Sequence, residues 1–253
     1  MIRLEYYLRR QPHLSPEAFQ AAWQDALQPA WSSMLGNLGC QRALAVLGQH
    51  NELFDQMNKA RGGAMQAPFD LVIELWWGTE AEAVLALSGG GLDRLAALIE
   101  SQVAWLDAIH SPAWLAMEYP QVNPTPEDLL ASAGSPWKKL QFPLQHRNDW
   151  SEAAARHYWL QEHGPLIRRH APNSGIARYV QVHRLDHPIN EELANALGFE
   201  TPVYLGHAEV WVGPGGGTQE ARRQASRAAV EDEAKFIDFS ASTLFAGFEI
   251  LMI

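Results

Sequence analysis

The sequence predicts an α+β fold: two tandem ferredoxin-like βαββαβ repeats whose sheets close face to face into an α+β barrel, a fused pseudo-dimer. Three observations lead there. Stretches that alternate apolar and polar residues are interleaved with stretches at helical spacing, in the order strand, helix, strand, strand, helix, strand. The same order then returns with matching residues about 136 positions later. Finally, a ferredoxin-like sheet carries its helices on one face only, and a bare apolar second face must be covered. A second copy in the same chain can cover it, although pairing with another chain would do the same.

Residues 2–9 set Ile2, Leu4, Tyr6 and Leu8 on one side and Arg3, Glu5, Tyr7 and Arg9 on the other, the pattern of a half-buried strand. Pro12 ends it. Ser15 offers an N-cap and Pro16 the first helical position, where a missing N–H costs nothing. Phe19, Ala22, Trp23 and Ala26 supply that helix's buried face. A strand over 42–47 follows, then an excursion over 49–67 with a short helix at 51–59 that stops in Arg61-Gly62-Gly63. A strand at 69–77, a long amphipathic helix at 92–109 and a strand at 114–119 complete a first repeat of residues 1–119. Residues 120–136, with Pro120, Pro124, Pro126 and Pro136, read as a linker. The second repeat, residues 137–253, has strands at 140–145 and 177–183 around a helix at 151–162. An excursion at 185–202, a strand at 204–212, a helix at 219–239 and a strand at 246–252 follow. At a constant separation of 136, Leu4 matches Leu140, Ser15 Ser151, Trp23 Trp159, Pro29 Pro165, Gly39 Gly175 and Arg42 Arg178. Farther on, Glu74 and Trp76 match Glu209 and Trp211, and Glu118 matches Glu249.

Composition narrows the function. A net charge of -10 with no basic cluster argues against nucleic acid or an anionic membrane as partner. The longest apolar runs are too short to cross a bilayer, and the N-terminus opens as a strand and not as a signal peptide. Cys40 is the only cysteine, which excludes an intrachain disulfide and fits a cytoplasmic location. Gly213-Pro214-Gly215-Gly216-Gly217 lacks the Gly-Lys-Ser/Thr ending of a phosphate loop and reads as a turn.

The halves differ where chemistry would need it. Trp159-Leu160-Gln161-Glu162-His163-Gly164-Pro165 aligns with Trp23-Gln24-Asp25-Ala26-Leu27-Gln28-Pro29, so His163 faces Leu27. Tyr179, Gln181 and His183 share one side of their strand, where the first repeat has Ala43, Ala45 and Leu47. His207 stands where the first repeat has Val72, with Glu209 on the same face as His207. Groups that are polar in one copy and apolar in the other should converge on one surface of the second sheet, as a single site opposite a degenerate one.

With those residues in view, the chain resembles a tandem member of the EthD domain family within the dimeric α+β-barrel superfamily. The likeness is carried by Tyr7-Leu8-Arg9-Arg10, Leu14-Ser15-Pro16-Glu17-Ala18-Phe19 and Trp23. In the second half it is carried by Trp159 to Leu166, Arg178-Tyr179-Val180-Gln181 and Glu209-Val210-Trp211. It implies a small apolar, aromatic or cyclic carbonyl metabolite as partner. It also implies proton-transfer chemistry without a cofactor: isomerisation, cyclisation, dehydration or cofactor-free oxygenation. His163, near its helix end and of a residue type whose free imidazole titrates near pH 6.5 and is tuned by burial or a carboxylate neighbour, is the candidate general acid or base. Tyr179 and Gln181 would hold a developing oxyanion, and His183, His207 and Glu209 would bind substrate. His163, His183, His207 and Glu209 could together hold a divalent metal, but no two stand at a tight ligand spacing, so no metal is expected. Two other readings remain: a non-catalytic accessory protein that holds a hydrophobic metabolite, and a metal- or haem-dependent oxidoreductase. A homodimer is compatible with each.

Overall fold

The computed structural model describes residues 1–49, 52–123 and 129–253. In the first half, β1 (Ile2–Leu8), β2 (Arg42–Gln49), β3 (Leu71–Trp77) and β4 (Ala113–Val122) lie side by side in the order β4-β1-β3-β2. In the second, β5 (Lys138–His146), β6 (Ile176–Arg184), β7 (Gly206–Val212) and β9 (Phe245–Leu251) run β6-β7-β5-β9, and the two-residue β8 (Ile237–Asp238) adds to β5. Antiparallel pairs β4–β6 and β2–β9 join the halves. Eight strands thus close an antiparallel barrel within one chain, which removes every long open edge.

Helices cover the outside. In the first half α1 (Pro16–Ala22) and α2 (Gln28–Leu35) are joined by a π-helical turn, Trp23–Leu27, into one bent rod. In the second half α6 (Glu152–Tyr158), the π turn Trp159–His163 and α7 (Gly164–Ser174) do the same. Ser15 and Ser151 cap the two rods by accepting from the backbone N–H groups of Ala18 and Ala154. The helix expected to end at residue 162 therefore continues through Gly164-Pro165 instead of stopping there. Proline lacks the N–H of a regular helical turn and crowds the preceding carbonyl. The wider π turn, in which the Gly164 N–H reaches the Trp159 carbonyl, absorbs both defects, and the helix runs on for eleven residues.

Two other expectations change. The helix at 92–109 is only Leu92–Ser101 (α5), preceded by α4 (Glu80–Ala86) across a break at Gly89 and Gly90, where Gly90 takes a φ of 88°. The helix at 219–239 ends at Glu233 (α9, Gln219–Glu233). Strand β4 runs to Val122, past the expected end of the first repeat. Ala131 within the predicted linker is fully buried, its N–H donating to the Glu249 carboxylate at 2.7 Å. Part of the expected helix at 51–59 and of the linker, residues 50, 51 and 124–128, lies outside the described residues.

The excursions cross over. α3 (Glu52–Ala60) and the segment after it leave the first half and dock on the second. The Gln66 N–H donates to the Ser242 carbonyl at 2.9 Å, and the Tyr204 hydroxyl donates to the Gln66 side chain at 3.0 Å. Conversely, α8 (Ile189–Leu197) packs Ile189, Leu193 and Leu197 into the core of the first half. There the Leu115 N–H donates to the Asn190 side chain at 2.8 Å. Among the described residues no helix is long and apolar enough to cross a membrane.

Candidate functional site

The last residue of the second π turn is His163, only 4% exposed. Its Nδ1–H donates to Asp232 on α9 at 2.8 Å. Asp232 also accepts from the Tyr158 hydroxyl and the Lys235 ammonium, each at 2.7 Å. Burial works against the charge on Asp232, yet the hydrogen bonds from His163, Lys235 and Tyr158 hold its pKa well below the ordinary carboxylate range. A carboxylate fixed in this way sets the tautomer of His163 and leaves Nε2 as the nitrogen that can exchange a proton.

That nitrogen belongs to a residue in the wall of a cavity of about 340 Å³, enclosed by α7, α9 and the outer face of the second sheet. Its lining is mostly apolar, with Phe142, Trp159, Ile167, Ala208, Val210 and Leu244 among the contributors. Tyr179 lines it too and is 1% exposed. The Tyr179 oxygen accepts from the Trp159 indole N–H at 3.2 Å and from the Gln181 amide at 3.1 Å. Both acceptor positions are then filled, and the phenolic O–H is left to donate. Burial pushes the Tyr179 pKa up, so the phenol keeps its proton. Gln181 also donates to the Trp159 carbonyl at 2.7 Å but does not reach the cavity. It positions Tyr179 instead of touching a ligand. Gly164 belongs to the same packing, since a Cβ there would come within 2.5 Å of the Gln121 side-chain oxygen and 3.1 Å of the Gln181 amide.

The remaining predicted site residues do not converge on this cavity. His183 stacks on the Trp159 indole, with ring centroids 4.3 Å apart and planes 6° from parallel. It faces a smaller cleft bordered by Met117, Tyr119 and Arg156. Burial and the nearby Arg156 and His207 charges push its pKa down to about 3, so it is neutral at pH 7. His207 and Glu209 point the other way, into the barrel. The pairing explains why: Tyr179 stands opposite Val210 and Gln181 opposite Ala208, while Glu209 stands opposite Val180 and His207 opposite Val182. Paired residues share a face, so His207 and Glu209 lie behind Tyr179 and Gln181. The expected single polar surface is divided between two sides of the sheet.

Inside the barrel, Glu209 belongs to a buried charge network. Arg3 donates to Glu209 at 2.5 and 3.1 Å and to Glu118 at 2.9 Å, and also pairs with Glu5. Lys139 binds both Glu74 oxygens at 2.8 Å and Glu209 at 2.8 Å, with Glu249 at 3.2 Å. Burial opposes the charge on Glu209, but Arg3 and Lys139 hold its pKa well below normal, whereas burial and Glu209 push Glu74 up to about 8. His207 accepts from Arg3 at 2.8 Å, and burial lowers its pKa to about 4. Glu5, Glu74 and His207 bring ligand atoms within 4.8 Å of one another, but Arg3 and Lys139 already occupy the cation positions there.

The sequence reading missed Asp232, Arg61 and Met57. Asp232 carried a signal: with Ala225 and Ala229 it falls at helical spacing on the inward face of α9, where a charge needs a partner. Met57 and Arg61 come from the other half of the chain and reach the cavity only through the crossing of the excursions.

The profile of the EthD domain matches residues 147–240. No curated protein matches the chain. A crystal structure of a protein assigned as a chlorite dismutase is 11% identical and covers 98% of this chain and 95% of its own, with a TM-score of 0.47. The segment from 147 to 240 that is similar to the EthD domain holds His163, Tyr179 and Asp232.

Proposed function

We propose that the chain binds a small, largely apolar carbonyl or phenolic compound in the second-half cavity and moves a proton on it through the His163–Asp232 pair. The observation that carries this reading is the 2.8 Å bond from His163 Nδ1 to Asp232 in the wall of an apolar cavity. His163 Nε2 takes a proton from a C–H or O–H of the ligand. The negative charge that develops on the ligand oxygen is met by the Tyr179 O–H, held in place by Gln181 and Trp159. In a site with few competing waters such a donor is worth more than in bulk solvent. No nucleotide or metal is needed for this chemistry. His183 serves as the neutral stacking partner that seats Trp159, while His207 and Glu209 hold the barrel together.

The domain reading is that residues 1–119 and 137–253 are tandem ferredoxin-like repeats from a duplication, joined through 120–136, with the first site degenerate. Two details support it. Leu27 closes its π turn as His163 closes the other. Trp23, the counterpart of Trp159, has a buried indole N–H without a partner, because Ala43 stands where Tyr179 would accept it.

The test is binding and turnover of a panel of aromatic, polyketide-like and lactone compounds by wild type and His163→Leu. The variant is expected to fold and bind a converted compound without converting it. Equal binding by both proteins and no conversion by either would replace catalysis with a holding role for a hydrophobic metabolite.

A further inference from the structure

Given that the cavity takes a ligand, we infer that the ligand is an elongated molecule with an acidic group at the end remote from His163, held at the cavity mouth by Arg222. The cavity runs along α9. Asp232, which grips His163, and Arg222, which lines the opposite end, are ten residues apart on that helix, or about 15 Å along its axis. Arg222 is fixed before any ligand arrives. Its Nε donates to the Gly217 carbonyl at 3.1 Å and one terminal nitrogen donates to the Gly215 carbonyl at 2.9 Å. Those carbonyls belong to the glycine-rich turn, itself fastened to the end of α7 by the Gly217 N–H donating to the Asn173 carbonyl at 3.0 Å and by the Gly213 N–H donating to the Gly175 carbonyl at 3.0 Å. Gly216 takes a φ of 114°, and a Cβ there would come within 2.8 Å of the Gly175 nitrogen, so this turn requires glycine.

Charge supplies the second half of the argument. The other arginine in the cavity wall, Arg61, is neutralised by Glu233 at 2.8 Å. Among the described residues no carboxylate meets Arg222, although the protein carries a net charge of -10. An oriented guanidinium without an acidic partner, beside an apolar cavity and His170, recognises an anion in a planar arrangement. The chemical class is a fused-ring or long-chain acid: carboxylate at the mouth, apolar body along the sheet, and the reacting C–H or O–H at His163.

A matched pair of fluorescent probes tests this: 8-anilinonaphthalene-1-sulfonate and its uncharged analogue N-phenyl-1-naphthylamine, titrated into wild type, Arg222→Gln, Arg222→Lys and His163→Leu. Arg222→Gln is expected to weaken the sulfonate about fivefold, as for a partly exposed charge pair, and to leave the neutral probe unchanged. Arg222→Lys should recover part of the loss, and the thermal midpoints of both variants should match wild type because the side chain is exposed. Sulfonate affinity indifferent to Arg222, with the neutral probe binding wild type and His163→Leu alike, overturns the acid subsite and leaves the cavity reading standing. If neither probe binds wild type, both fail together.

Discussion

Asp232→Asn changes one atom and separates catalysis from packing. In the wild type the carboxylate accepts from His163, Tyr158 and Lys235. The Lys235 side chain is 59% exposed, so its share is small. The buried bond to His163 and the half-buried one to Tyr158 carry most of the effect. An asparagine oxygen can still accept one of them, so the expected loss of stability at pH 7 is about 2 kcal/mol. The pH dependence has a definite sign. The folded-state pKa of Asp232 is depressed, so its contribution is present above the unfolded value of about 4 and disappears as pH falls through the folded value. Denaturant titrations should therefore show a wild-type advantage at pH 7 that narrows below about pH 4. Turnover should fall by about a hundredfold or more, because the amide no longer fixes the proton on Nδ1, while binding of the same compound changes little. A variant as stable as wild type at pH 7 with undiminished turnover would refute the dyad.

Three further outcomes follow from the same geometry. Lys139→Met strands Glu74, Glu209 and Glu249 in the barrel, and equilibrium unfolding should register a loss of about 3–5 kcal/mol; a loss under 1 kcal/mol would mean that the network is hydrated. Arg61→Ala removes the buried pair with Glu233 that fastens the first-half excursion over the cavity. Stopped-flow binding of a hydrophobic probe should become faster in both directions, and limited proteolysis within residues 52–67 should speed up. Leu27→His places a polar ring in the fully packed first-half core, where it should cost about 2–4 kcal/mol in denaturant titration and create no second binding site by calorimetry.

The strand order was legible because each element kept its own period, and because the second half repeated matches such as Trp23 with Trp159 and Glu74 with Glu209. His163 stood out through its contrast with Leu27, and it lies in the cavity wall. The division of Tyr179 and Gln181 from His207 and Glu209 was not legible. Strands of a closed barrel wrapped in helices are buried on both faces, so polarity does not say which face is which, and a shift of one residue in pairing exchanges them. The irregularity between Ile176 and Arg178 sets that register, and it leaves no mark in the sequence. The helix through Pro165 was hidden for a related reason: a π turn absorbs a proline that the ordinary rules treat as a stop.

That a cavity lies beside His163 while the space around Leu27 is packed comes from what each excursion delivers to the other half. α8 has Ile189, Leu193 and Leu197 on one face, all buried, and they fill the first-half core beside Leu27 and Trp31. α3 has no fully buried residue and places Met57 at the second-half cavity, with Arg61 following just after the helix. A longer apolar face on α3 would have filled the space that the ligand needs, and a shorter one on α8 would have left a void costing about 1 kcal/mol or more for each missing methyl-sized group. The asymmetry between His163 and Leu27 therefore extends to the partner segment across the barrel. Exchanging α3 for the sequence of α8 should close the cavity and abolish probe binding with His163 and Asp232 intact, and retained probe affinity in that chimera would place the binding site elsewhere.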